Sequence, residues 1–159
     1  MDQADVARGG RDPAAVAREI IDANRYMTLA TADGGGRPWA SPVWYAHQGY
    51  TDLYWVSRPD ARHSRNLAVR PEVGIVIFDS TVPEGDGQAV YVEALAAELD
   101  GAERDQGIVI LSRRSEAGGA APWDVADVSG PAPFRLYRAL ASAHFVLADS
   151  DERLTVRLG

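Results

Sequence analysis

Between Tyr26 and Ser57 the chain holds three strand-like runs, "YMTLATA", "WASPVWYAH" and "YTDLYWVS", separated only by the turn clusters "DGGGRP" and "QG". The runs are rich in β-branched and aromatic residues, and connections this short join neighbouring antiparallel strands. The spacing therefore predicts an antiparallel meander. Pro42, inside the second run, cannot donate to a ladder, so an edge, a bulge or a break is expected there. Downstream, "EVGIVIFDS", "QAVYVEALAAELD", "FRLYRALASAHFVLA" and "RLTVRL" read as further strands. "DPAAVAREIIDANRY", with Asp12 as N-cap and Pro13 at the first helical position, reads as a helix. So do "RHSRNLAV", stopped by Pro71, and "GAERDQGIVILSRR", where Gly107 and the run at 108–110 weaken the signal. About seven strands and three helices, with strands adjacent in sequence, predict a mainly β fold, a closed antiparallel barrel with helical additions. Residues 1–12 are expected to be a flexible tail and 13–159 a single domain. The Gly/Pro/Ala-rich stretch 115–133 is too long for a mere connection and reads as a lid or a dimer arm.

Charge is distributed unevenly along this framework. The 159 residues carry a formal net charge of −7, yet "WVSRPDARHSRNLAVRPEV" (55–73) holds Arg58, Arg62, Arg65, Arg70 and His63 against Asp60 and Glu72. An acidic chain with one local basic patch is not built for general nucleic-acid binding, which needs a broad basic face. Local positive charge points to a small anionic group. Asp60 is expected to cap the helix that follows, leaving backbone N–H groups and the positive end of the dipole at residues 61–64. Arg62 and Arg65, three apart, share one face. A guanidinium fork matches phosphate oxygens two at a time, and Ser64 adds a hydroxyl. The stretch reads either as a monophosphate clamp or as a solvated arginine cluster pairing with acidic loops such as "PEGDG".

Other chemistry is narrowed by composition. There is no cysteine, and all 16 basic residues are arginine, which removes thiolate and Schiff-base nucleophiles and the P-loop lysine. The three histidines, His47, His63 and His144, lack metal-ligand spacing, although haem ligation by one of them stays open. Ser64 and His63 are adjacent on a helix and so diverge, and no G-x-S-x-G elbow is present. No apolar run reaches the ~20 residues of a membrane span. "MDQADVARGG" lacks the apolar segment of a secretory signal, so the cytoplasm is the expected compartment. Trp39, Trp44, Trp55 and Tyr45 are expected in the core or a subunit interface, with contact to a flat ring as the other role.

The "TLAT" strand, the D-G-x-P-type turn, "SPVW", "YWVS" and the arginine-bearing turn into "RNL" together resemble the core of the pyridoxamine 5′-phosphate oxidase-like family, the flavin-binding split barrels. The resemblance covers 26–79 well and the later strands more loosely. It implies an antiparallel split β-barrel, a homodimer with FMN at the subunit interface, and hydride or electron transfer to or from a small-molecule substrate. Carried onto this chain, Arg62 and His63 take the place of the phosphate-binding basic pair, with Ser64, Arg65 and Asn66 in the supporting turn. Trp55, Val56 and Ser57 fall on the strand beside the flavin. Ser41, Pro42, Val43 and Trp44 fall on the strand facing the ring edge, largely through backbone groups. Gln88 falls within one position of a family glutamine that reaches the flavin. His63 stands where family members often have lysine, which implies a weaker or pH-dependent phosphate grip. No motif here matches the C-terminal Trp and Arg/His elements with which the true oxidases grip pyridoxal, so oxidation of pyridoxamine phosphate itself is not expected. Related branches imply two alternatives: a reductase using the deazaflavin coenzyme F-420, or a non-catalytic flavin- or haem-binding protein.

Overall fold

The computed structural model describes residues 6–7 and 9–159. Part of the expected tail, residues 1–5 and 8, lies outside the described residues; of the rest, Ala7 is fully buried and bridges Arg11 and Ala148. Helix α1 (Pro13–Ala23) starts as its sequence predicts: the Asp12 carboxylate accepts from the Ala15 N–H at 3.0 Å and Pro13 occupies the first turn. Val16, Ala17 and Ile21 turn inward from it.

Eight strands among the described residues form one antiparallel sheet: β1 (Tyr26–Ala32), β2 (Pro38–Trp44), β3 (Ala46–Gln48), β4 (Asp52–Ser57), β5 (Glu72–Phe78), β6 (Ala89–Glu98), β7 (Arg135–Leu147) and β8 (Arg153–Val156). Their order is β2-β1-β5-β6-β7-β4-β3, with β8 added to β7. The expected meander is corrected here. The second run breaks at Tyr45, so β2 pairs with β1 while β3 pairs with β4, and β4 finds its other partner in β7. Tyr45 causes the break. Its ring is fully buried, its hydroxyl donates to the Ile21 carbonyl at 2.6 Å, and its N–H, bonded to the Arg25 carbonyl at 3.2 Å, continues the β1–β2 register by one last rung. One residue thus joins the two extreme edges of the sheet. The sheet has to curl until those edges meet, but no ladder seals them, and the result is a barrel with an open seam. Pro42 lies on the edge strand β2, where its missing N–H costs nothing.

Inward residues of most strands fill the barrel, with Met27, Leu29, Leu53, Trp55, Ile77 and Val90 among the fully buried ones. A second apolar cluster lies outside, where α3 (Gly101–Ala117) covers β3, β4 and the start of β7 through Ile108 and Leu111. Gly107, which weakens the helix signal in the sequence, is what allows that approach. A Cβ there would sit 2.8 Å from the Tyr54 ring and 3.0 Å from Leu136. The 118–133 stretch folds back onto α3: the Trp123 N–H donates to Ser112 Oγ, Ser115 Oγ donates to the Ala121 carbonyl, and one 3₁₀ turn at Val125–Val128 is closed by an Asp124/Asp127 capping box. Helix α2 (Arg62–Val69) plugs one end of the barrel with Leu67. No helix among the described residues is long and apolar enough to cross a membrane.

Candidate functional site

The corner where β4 hands over to α2 is built from a tight turn, with the Ala61 N–H bonded to the Arg58 carbonyl at 3.1 Å. The N-cap position falls on Ala61, which has no capping side chain. Asp60, the expected cap, is instead gripped by Arg58 through two bonds of 3.0 and 3.3 Å, because a guanidinium two residues away outcompetes neutral amides for a carboxylate. That grip also lowers the Asp60 pKa. The first helical N–H groups at residues 62–64 are therefore left for something else.

The arginines of this stretch differ in what they hold. Arg58 is tied to Asp60, Arg65 donates to the Asp60 carbonyl, and Arg70 reaches the Gly34 carbonyl at 3.4 Å. Arg62 makes no ion pair or hydrogen bond among the described residues; its guanidinium lies over the Trp39 ring at 4.4 Å. Asp33 feels the Arg62 charge only at longer range, and its carboxylate is taken up by the N–H groups of Gly35 and Arg37, both at 2.9 Å. Trp39 is 41% exposed on the edge strand β2. His63 points the other way. Only 8% exposed, it places Nε2 2.7 Å from Ser57 Oγ, and burial pushes its pKa down, so the ring is neutral near pH 7. Of the basic pair implied by resemblance, one member keeps its charge. Asn66 fastens α2 to the barrel: its Nδ2 donates to Thr31 Oγ1 at 3.0 Å, and Thr31 in turn donates to the Trp39 carbonyl at 3.3 Å. This relay fixes Arg62 relative to the ring beneath it. Ser64 is buried beside Tyr137 on a groove of about 700 Å³ behind α2.

The open seam begins at this corner. The outer edge of β2, including Ser41–Trp44, has no strand partner among the described residues. On the facing side β3 covers only Asp52–Tyr54, so Trp55, Val56 and Ser57 pair with β7 on one edge and with no described strand on the other. Both strands named from resemblance therefore present free backbone to one gap. Their side chains mostly do not face it. Trp55 is wholly buried and stacked on Tyr137 at 5.7 Å, and Val43 is in the core, whereas Pro42 is exposed and Trp44 half-buried. At the Trp44 end the gap opens into a cleft of about 610 Å³ walled by Tyr26, Trp44, Trp123 and Arg114. Arg114 is held there by the Asp22 and Asn24 carbonyls, at 3.0 and 3.1 Å.

Gln88 does not join this group. It precedes β6, whereas α2 packs near Ala96–Glu98 at the other end of that strand, roughly 30 Å away at 3.3 Å per residue. Its Oε1 is buried without a partner among the described residues. Two contributors, Trp39 and Thr31, are missing from the residues singled out by resemblance. Trp39 carries a signal, an aromatic directly after a hairpin turn on a Pro-containing edge strand; Thr31 carries none.

A curled antiparallel sheet whose two edges meet unsealed, plugged by a short helix, defines a split β-barrel. The chain belongs to the pyridoxamine 5′-phosphate oxidase family, whose sequence profile matches residues 14–144. Similar solved structures include a haem-binding protein from Mycobacterium smegmatis, with a TM-score of 0.71 and 21% identity over 90% of this chain and 57% of that one. HutZ, a haem storage protein from Vibrio cholerae, has a TM-score of 0.65 and 24% identity over 81% of this chain and 90% of that one. An F420 reductase has a TM-score of 0.60 and 16% identity over 80% of this chain and 94% of that one. The chain spans little more than half of the Mycobacterium smegmatis protein, and at these identities the likeness is one of fold. No curated protein matches the sequence.

Proposed function

We propose that this chain is a homodimeric, FMN-dependent oxidoreductase that exchanges hydride or electrons with a small organic molecule. The observation that carries this reading is Arg62: an arginine bonded to no carboxylate among the described residues, its guanidinium over the Trp39 ring beside uncapped helix amides, at the head of a seam between two free strand edges. A phosphate monoester fits such a corner, because a guanidinium fork and uncapped helix amides both supply donors for its oxygens. From Trp39 to Trp44 the seam runs about 17 Å, enough for an attached planar ring to lie along β2 and reach the aromatic cleft, where a substrate would sit beside it. FMN would supply the redox chemistry; the residues described here would anchor, orient and shield it. Gln88 can serve the same ligand only from a second copy, since one protomer holds it at the opposite end of β6.

The haem-binding neighbours make haem the competing ligand, and the histidines weigh against it. His47 Nε2 is held by Asp22 at 2.9 Å with its Nδ1 buried, His63 by Ser57, and His144 by the Tyr50 carbonyl at 2.9 Å. Each ring already commits its Nε2 to a protein partner, so an iron would have to displace that bond. A deazaflavin would share the seam but brings a longer anionic tail, while Arg58, Arg65 and Arg70 already have partners. Denaturing the purified protein and weighing the released small molecule by mass spectrometry tests the proposal, with absorbance of the native protein as a second readout. FMN and its two visible bands are expected. A single near-violet band, a Soret band, or failure to take up added FMN overturns it.

A further inference from the structure

The cleft at the Trp44 end of the seam is lined by two arginines, Arg25 and Arg114, and one carboxylate, Asp22, and no ion pair joins them. The Asp22 carboxylate is engaged elsewhere: His47 Nε2 lies 2.9 Å from its Oδ1, and the Tyr50 hydroxyl donates to its Oδ2 at 3.0 Å. Arg114 reaches over from α3 to the backbone carbonyls of Asp22 and Asn24, and both bonds leave from Nη2. Neutral carbonyls orient a guanidinium without cancelling its charge, and Nη1 and Nε, both donors, make no hydrogen bond among the described residues. Capping the end of α1 accounts for the Nη2 bonds but not for the unpaired charge. Arg25 is exposed and joins no ion pair among the described residues. Two guanidinium groups against one carboxylate leave the lining with one net positive charge, the complement of a singly charged anion.

The walls indicate what that anion is attached to. Tyr26 and Trp44 are directly paired across β1 and β2, so their rings leave the same face of the sheet. Trp123 adds a third ring from the 118–133 stretch; its N–H is pinned to Ser112 Oγ at 2.9 Å, and Phe134 meets its ring edge to face at 6.1 Å. Ala117, Gly118 and Ala120 complete the lining and take up little room, and the volume of about 610 Å³ is that of a small-molecule site. Aromatic walls with a few convergent polar groups are suited to a flat ring carrying one charged substituent.

We propose that this cleft binds a planar aromatic carboxylate, with its ring against Tyr26, Trp44 and Trp123 and its carboxylate on the open side of the Arg114 guanidinium. That such a molecule is the redox partner of the flavin rests on the FMN reading of the seam; its binding in the cleft does not.

Equilibrium dialysis of the full chain tests this with 2-naphthoate and its neutral counterpart 2-naphthamide. The parent chain should bind the carboxylate more than tenfold tighter than the amide, and acetate, which has the charge but no ring, should not compete. Arg114→Gln should bind both naphthalenes alike. Arg113→Gln removes the same charge from an exposed position outside the cleft and should bind as the parent does. Trp123→Ala leaves Arg114 and its carbonyl bonds in place and should weaken both ligands by the same factor, which decides the matter should Arg114→Gln, checked by circular dichroism, fail to fold. Equal binding of the two ligands by the parent, binding of neither, or competition by acetate overturns the proposal. So does a preference that survives in Arg114→Gln, a loss as large in Arg113→Gln, or a Trp123→Ala chain that binds as the parent does. FMN titration of the parent separates the two claims. Preference for the carboxylate without FMN uptake leaves the cleft assignment standing and removes the flavin, whereas FMN uptake with no such preference does the reverse.

Discussion

Replacing Arg62 with alanine should raise the FMN dissociation constant by about 10- to 150-fold. The number follows from what Arg62 does and does not touch. It is bonded to no carboxylate among the described residues, so removing it breaks no ion pair, and the loss is that of the phosphate contact alone. Hydrogen bonds to a charged group contribute about 1.5–3 kcal/mol, and each 1.4 kcal/mol is a factor of ten in affinity. The Trp39 ring at 4.4 Å holds the guanidinium in place before any ligand arrives, which is worth about 0.5–1 kcal/mol at an exposed site. Trp39→Ala should therefore weaken binding only a few-fold. Arg62→Lys keeps the charge but loses the fork and should fall between the two. Arg58→Ala is the control, because its guanidinium is already occupied by Asp60. Calorimetric titration with FMN at fixed ionic strength reads all four. An Arg62→Ala affinity within twofold of the parent, or an Arg58→Ala loss as large, would refute the assignment of the phosphate corner.

Burial lowers the pKa of His63 and of His144, so in both cases the folded state binds a proton less readily than the unfolded chain. Stability should thus be full above the ordinary histidine value of about 6.5, fall as pH drops through it, and level off below the folded-state values. Urea midpoints at pH 7.5 and 5.5 check this, and His144→Gln should flatten the drop; an unchanged midpoint in the parent chain counts against neutral buried rings. Gly107→Ala places a methyl group 2.8 Å from the Tyr54 ring. Overpacking of about 1–3 kcal/mol should outweigh the gain of about 1 kcal/mol in helix propensity. The urea midpoint should fall with an unchanged slope.

Much of this protein is legible from local signals. The "YMTLATA" strand, the "RHSRNLAV" helix and the Asp12–Pro13 start of α1 depend on periodicity and capping within a few residues, and they form where the pattern puts them. What escapes depends on partners distant in sequence. Nothing near Tyr45 says that its side chain will turn inward to the Ile21 carbonyl and send β2 and β3 to opposite edges. Gly107 counts against a helix until Tyr54 is known to lie against it. At the candidate site the sequence shows an arginine cluster but not its division of labour. Asp60 has two suitors, the helix amides and Arg58, and only geometry decides between them. His63 carries the same letter whether solvated and charged or, as here, buried and neutral.

The single-residue hinge at Tyr45 also shapes how the chain comes to be. As synthesis proceeds, the β3–β4 hairpin emerges well before the strand that flanks it, β7, which follows only after β5, β6 and α3. Until then β4 has an unclaimed edge, the kind of surface that pairs promiscuously with other chains. Barrel closure belongs to the late, slow part of folding, since pairing across so much intervening sequence carries the largest loop-closure cost. In a crowded cell the newborn sheet is therefore most vulnerable in the interval before β7 leaves the ribosome.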